Sequence, residues 1–415
     1  MKVCIHRGTH EIGGTCVEIE SQGRRIVLDV GLPLDGDPAE VPLPPVAGFA
    51  VPDSSLLGVV ISHPHLDHYG LAHKLPSGTP ILIGPEAHKI LMAASVFVPG
   101  EVRFDKVVHL KDRTPIELGP FKVTPFLMDH SAYDAYAVLV EADGQRLFYS
   151  GDLRAHGRKG KLFERMVARP LGNIDVLLLE GSTIGRTGGD NEYPTEEELE
   201  KQFENLFRDT PGLSLVWCSG QNIDRLVTIY KAARHVGKQL IVDMYTASVL
   251  RAIGNPKLPQ PGFPEFRVFL PWGQKNTIVR KELFDRSASF KAARIYPNQL
   301  AAEAPKSVML FRPSMVKDLE KADCLAGAHL TYSLWGGYLR RDEQKPFLVW
   351  LKSRSIPLTH CHTSGHATVA DLQRLAKALA PKMLVPIHSF HTEAYPQHFE
   401  HVCLKHDGQW WNVTS

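Results

Sequence analysis

The stretch His63-Pro64-His65-Leu66-Asp67-His68, delivered by the apolar run LLGVVIS at 56–62, decides how this chain is read. A short apolar run of that kind is a buried strand, so the hexapeptide lies on the loop after it. Three imidazoles and one carboxylate within six residues are more than a single ion takes comfortably. Zinc binds His, Asp and Glu at about 2 Å, and hydrolases with two ions hold them about 3.5–4 Å apart. The remaining donors follow in order. His130 in FLMDHSAYD, Asp152 in LFYSGDL and His388 in MLVPIHS each end an apolar strand. The expected assignment is His63, His65 and His130 on one ion, Asp67, His68 and His388 on the other, and Asp152 bridging. Asp29, at the end of RRIVLD, is expected to orient an imidazole instead. Two zinc ions suit this imidazole-rich set, and manganese stays open.

The chain has 415 residues, 43% of them hydrophobic, with a formal charge of +2. That length allows two or three domains and a sizeable core. The balance is not that of a protein held on nucleic acid by charge alone, so such a substrate needs a local groove. Cys4, Cys16, Cys218, Cys324, Cys361 and Cys403 show no CxxC spacing and are expected to be reduced thiols in a cytoplasmic protein. The N-terminal residues lack an apolar signal region, and no run is long enough to span a bilayer. No membrane association is expected.

Up to Glu180 the pattern is strand-rich. TCVEIE and RRIVLD read as a hairpin, followed by a Pro-rich stretch over 31–55 and by the strands FKVTPFLM, AYAVLVEA, QRLFYSGD and IDVLLLE. GSTIGRTGGDNEYP reads as a linker, and Thr195 with Glu198 as a capping box opening a helix. Strands then alternate with helices, which argues for a parallel α/β unit. A further helix is expected near 276–285 and a terminal hairpin in CLKHDGQWWNV. The expected domains are a first part over 1–190, an inserted unit over 191–354, and a return to the first domain over 355–415.

Together these residues resemble the metallo-β-lactamase superfamily. Glu180 in VLLLEGST, the SGH of HTSGHA and His388 extend the resemblance to its β-CASP branch, and the blocks HEIGGTCVEIESQGRRIVLDVGL, SHPHLDHYG, HTSGHATVADLQRL and LVPIH to the ribonuclease J family. The implied fold is α/β: an αββα metallo-β-lactamase sandwich with an inserted parallel α/β β-CASP domain. The resemblance makes Glu180 the family's acidic residue after the fourth metal-site strand. It makes His366 the general acid or a contact to the scissile phosphate, and His362 and Ser364 phosphate-holding residues. A histidine at 388 accompanies RNA-acting members, which favours RNA over DNA. Two departures stand out: FRPSMVKDLEK replaces the family's Gly-Ser-Gln-type loop, and the family carries a further domain beyond the position of Ser415. A homodimer or a partner protein therefore stays open.

The expected reaction is phosphodiester hydrolysis in a cleft between the domains. Hydroxide held by two ions attacks phosphorus, and His366 protonates the leaving oxygen, since an imidazole titrates near neutrality. Asp67, His366 and Glu180 form the expected catalytic set. In CSGQNIDR, Ser219 and Asn222 (with Gln221 and Arg225) are equally readable as substrate contacts or as an ordinary helix cap. Arg312 with Ser314, and Trp335 with Tyr338, Arg340 and Arg341, mix guanidinium with aromatic surface, as single-stranded RNA prefers. DNA cleavage, or hydrolysis of a lactone or thioester on the same fold, are the alternatives.

Overall fold

Strands built from the early apolar runs form the first sheet of the computed structural model, which describes residues 1–98, 102–186 and 192–413. They are β1 (Lys2–Arg7), β2 (Cys16–Ser21), β3 (Arg24–Leu28), β4 (Leu56–Val60), β5 (Pro80–Ile83) and β6 (Lys106–His109). A second sheet contains β7 (Ile116–Leu118), β8 (Phe121–Met128), β9 (Ala135–Ala142), β10 (Gln145–Tyr149) and β11 (Val176–Glu180). A third contains β12 (Ser214–Trp217), β13 (Gln239–Asp243), β14 (Phe266–Phe269), β15 (Ser307–Leu310), β16 (His329–Tyr332) and β17 (Leu358–His360). The chain then returns: β18 (Met383–Ile387) joins the second sheet beside β11, and β19 (Trp410–Asn412) joins the first beside β1.

The chain divides into two compact units, Met1–Met92 with Pro99–Tyr193 and Gly365–Ser415, and Ala93–Val98 with Pro194–Ser364. In the first unit one core cluster joins Val3, Ile5, Val17 and Ile19 of the first sheet to Val138, Val140, Leu178 and Val385 of the second, so the two sheets face each other. The outer face of the second sheet packs on Phe163 and Met166 from the helix Gly160–Ala168 and on Leu372 and Leu375 from the helix Val369–Leu379. The outer face of the first packs on Ala87 and Leu91 of the helix Pro85–Ala94. That is an αββα sandwich. The run VLLLE of β11 is buried along its whole length because β10 and β18 pair with it in parallel and both of its faces are covered.

The second unit is a parallel sheet in the order β14-β13-β15-β12-β16-β17. Its helices are placed by their caps. Thr195 and Glu198 form the capping box of Glu196–Asp209, and Asp243 caps Met244–Ile253, which ends at Gly254 with φ +69°. No helix among the described residues is long and apolar enough to cross a membrane.

Four expectations change. β17 lies in parallel beside β16, so the stretch from 355 to 364 sits in the second unit and not in the returning part. The terminal hairpin does not form: β19 pairs antiparallel with β1, and Val402 bridges to Leu384. The helix near 276–285 is two helices, Trp272–Arg280 and Phe284–Ala288. Residues 187–191 of the expected linker lie outside the described residues.

Candidate metal centre

The carboxyl ends of five strands bring the predicted residues together. β4 leads into His63 and His65, and the one-turn helix Leu66–Tyr69 carries Asp67 and His68. His130 follows β8, Asp152 follows β10, Glu180 is the last residue of β11, and His388 follows β18 with φ +55°. His366 lies two residues before Thr368, whose hydroxyl caps the helix Val369–Leu379 at the Asp371 N–H.

Three overlapping groups result, each with donor atoms within 4.8 Å of one another: His63, His65 and His130; Asp67, His68, Asp152 and His388; and Asp152, Glu180 and His366. Asp152 Oδ2 is the common point. It lies 3.1 Å from His68 Nε2, 3.6 Å from His388 Nε2, and 3.7 Å from both His63 Nε2 and His366 Nδ1. Asp67 Oδ2 is 3.6 Å from His388 Nε2, and His130 Nε2 is 3.2 Å from His65 Nδ1.

Electrostatics divides the imidazoles. Burial pushes His63, His65, His130 and His388 below the usual histidine range, and for His63 and His130 neighbouring imidazoles push further. Burial thus favours the neutral form in each, the form that coordinates a metal. Burial also opposes the charge on His68, but Asp152, Asp29 and Asp67 outweigh it and hold His68 well above the usual range; a cation held at Nε2 would take the place of that proton. Asp152, despite burial, is held well below the carboxylate range by His388, His68 and His366.

The donor set fits a divalent cation. His63 Nε2, His130 Nδ1, Asp152 Oδ1 and His388 Nε2 are buried with no hydrogen-bond partner among the described residues. Each such atom costs about 1–3 kcal/mol if left unsatisfied, and a divalent cation satisfies converging imidazole nitrogens and a carboxylate together.

Around these donors lies a supporting layer. Asp29, with φ +60°, accepts hydrogen bonds from the Ser62 N–H (2.7 Å), the Ser62 hydroxyl (2.8 Å) and the Tyr149 hydroxyl (2.6 Å). Its Oδ2 is 2.7 Å from His68 Nδ1, the orienting position expected for it. Glu180 accepts from the Leu153 and Ser182 N–H groups, both at 3.1 Å, and both of its oxygens are 3.2 Å from His366 Nδ1. Burial works against a charged His366, yet Glu180 and Asp152 raise it to about 9. Sequence reasoning missed Ser62, Tyr149 and Thr15, whose hydroxyl is 3.0 Å from His388 Nδ1. Their one signal is position: each lies within three residues of a strand end or a Gly pair that borders the centre.

The remaining candidates lie in the second unit. Asn222 accepts the Arg225 N–H through its side-chain oxygen at 3.0 Å, and the Ser219 hydroxyl oxygen accepts the Gln221 N–H at 3.2 Å. This is the cap reading of CSGQN. His362 stacks on His360 with centroids 5.9 Å apart, and Ser364 is partly buried near the end of the same segment. Arg312 is committed to Asp243 (2.7 Å) and lies over the Tyr245 ring. Trp335 and Tyr338 pack edge to face, with the Arg341 guanidinium 5.2 Å from the Tyr338 ring centre.

The family described as Beta-lactamase superfamily domain matches residues 24–190, the span that carries every donor except His366 and His388. Curated relatives extend the match across the chain. Ribonuclease J of Mycoplasma genitalium is 22% identical over 93% of this chain and 67% of its own length. Ribonuclease J of a Synechocystis strain is 23% identical over 94% of this chain and 61% of its own.

Residues 24–190 thus carry a beta-lactamase superfamily domain, and the chain is ribonuclease J-like along most of its length.

A beta-lactamase superfamily domain of this kind implies divalent metal binding, and the His/Asp clusters offer the donors for it. The chain spans about three fifths of the length of several ribonuclease J relatives, 61% for the Synechocystis protein and 56% for one from Helicobacter pylori. A solved structure described as a protein of unknown function from Enterococcus faecalis V583 superposes with a TM-score of 0.79 over 99% of both chains at 20% identity. That likeness concerns the fold.

Proposed function

We propose that this chain is a two-metal ribonuclease that hydrolyses phosphodiester bonds in single-stranded RNA. The observation that carries the reading is Asp152, whose Oδ2 stands within 3.7 Å of His63 and His68 from one loop and of His388 from another. It is the natural shared ligand between a site of His63, His65 and His130 and a site of Asp67, His68 and His388. Zinc is the preferred ion for so many imidazoles. Bound there, the ions supply an ionised water near neutral pH and neutralise charge on the phosphoryl oxygens.

The chain's own residues do the rest. Asp29 fixes the ring of His68 so that its Nε2 faces Asp152. Glu180, itself fixed by two backbone N–H groups, holds His366 protonated at Nδ1. The charged His366 gives its Nε2 proton to the leaving oxygen as the P–O bond breaks, while its Nδ1–H stays on Glu180. Asp67 helps fix the attacking water opposite that bond. His362, Ser364, Ser219 and Asn222 are the proposed contacts to the RNA backbone, with Asn222 contributing the amide that its capping role leaves unused.

The test is cleavage of 5′-labelled RNA and of the matched DNA oligonucleotide, in zinc or in manganese. RNA cut in preference to DNA supports the reading, and the ladder separates terminal from internal cutting. Cleavage of neither, alongside hydrolysis of small lactones or thioesters, would replace it with a small-molecule hydrolase.

A further inference from the structure

Basic charge is concentrated in one segment of the second unit. Residues 251–296 hold nine Lys/Arg against three Asp/Glu, while the rest of the chain holds thirty-eight against forty-two. One of the three carboxylates, Glu265, is already paired with Arg234. Within the segment, the helix Trp272–Arg280 has no acidic residue and buries only Ile278. Trp272, Lys275 and Val279 fall at i, i+3 and i+7, so they share one face of the helix. Trp272 is 67% exposed, Val279 52%, and Phe284, on the next short helix, 55%. Among the described residues, Lys275, Arg280 and Arg286 have no ion-pair partner. Arg251, lowered first by burial, is lowered further by the charge of nearby Arg286. The helix N-terminus is not the attraction, because the Trp272 N–H already faces the Asp318 carboxylate.

A protein does not cheaply keep three large apolar side chains in water among unneutralised cations. A polyanion that also carries flat apolar surfaces suits both: phosphates meet the cations, and bases stack on Trp272 and Phe284. A protein partner with an apolar patch would leave the cations unmatched. We propose that this face of the second unit, from Trp272 to Arg286, is a holding surface for single-stranded RNA. The proposal rests on the ribonuclease reading and adds a second place where the substrate is gripped, so that long RNA is held by more than the metal centre.

The test uses the full chain with its metals and a phosphorothioate oligouridylate of roughly 30 nucleotides, which is hydrolysed slowly while base stacking and phosphate charge are retained. For Lys275→Gln/Arg280→Gln, affinity should fall about tenfold. The slope of log K against log salt should become shallower by about 0.7 per cation removed. Trp272→Ala should weaken binding about fivefold or more, and Trp272→Phe should restore most of it. Thermal melting shows whether each variant is folded, and single Lys275→Gln, a change at an exposed side chain, stands in if the double variant is not. Folded variants that bind with wild-type affinity and salt slope overturn the proposal. So does unchanged RNA affinity together with altered self-association in sedimentation, which would make the face a protein contact. Wild type that neither binds nor cuts RNA would instead sink the ribonuclease reading itself.

Discussion

Asp29 sits with no solvent exposure between Ser62, Tyr149 and His68, and three donors fix its two oxygens before any metal is considered. Its effect on the centre therefore passes through His68. Asp29→Asn keeps the shape but removes the anion beside Nδ1. Loss of such a partner typically lowers metal affinity about 10- to 100-fold, and competition with a chelating dye should show this, whereas unchanged affinity would remove Asp29 from the account. His362 gives a pH prediction. Burial, then Arg225 and His360, push it down to about 3, against about 6.5 in an unfolded chain. Between those values the unfolded chain takes up a proton that the folded chain refuses. This group's contribution is therefore neutral above about pH 6.5, and stability is lost as pH falls through the window, at most about 1.4 kcal/mol per pH unit. Urea midpoints of His362→Gln should decline less steeply than wild type as the pH is lowered from about 6.5 to about 4. Equal slopes would contradict the assignment. The donors themselves were legible in sequence because five of them end apolar runs. Ser62, Tyr149 and Thr15 were not, since a hydroxyl beside a strand end has many ordinary uses.

At the scale of elements, the turn carrying Asp67 and His68 is clamped by the segment after β3. The N–H groups of Val30 and Leu32 donate to the carbonyls of His68 and Leu66, both at 2.9 Å. Between them Gly31 has no room for a side chain: a Cβ there would fall 1.8 Å from the Asp67 carbonyl oxygen, a backbone atom that moves only with the turn. Gly31→Ala should destabilise the fold by about 1–3 kcal/mol and weaken metal binding as well. Gly172→Ala, where a Cβ meets nothing within 4 Å, should stay within about 0.5 kcal/mol of wild type. Urea melts of the two variants compare them directly. The longer strands were readable from alternation, as in FKVTPFLM, or from a continuous apolar run, as in VLLLE. β6 and β7 were not, being three or four residues long and largely exposed or half-buried. QWWNV was recognised as a strand, but its partner was misassigned. Alternation identifies a strand, and only tertiary packing chooses β1 as its neighbour.

For the whole molecule, metal and fold should be coupled, because four buried donor atoms of the first unit, His63 Nε2, His130 Nδ1, Asp152 Oδ1 and His388 Nε2, have no hydrogen-bond partner among the described residues. Removing metal with a chelator should lower the melting temperature. The ions stabilise the native state by about 2.7 kcal/mol for a site held at a hundred times its Kd. An unchanged melting temperature would mean that the cluster is satisfied without metal. The inserted parallel unit was visible from strand–helix alternation, but its end was placed too early. The short run PLTHC was read with the HTSGHA block that follows it, whereas β17 belongs to the sheet of β16. A three-residue strand carries too little pattern to show which sheet takes it. The most direct test of the central claim counts metal and measures RNA cleavage on the same preparations of wild type and His65→Ala. Wild type should hold two ions and cleave RNA, and the variant should lose both ion and cleavage. Full cleavage by a metal-depleted His65→Ala protein would contradict it.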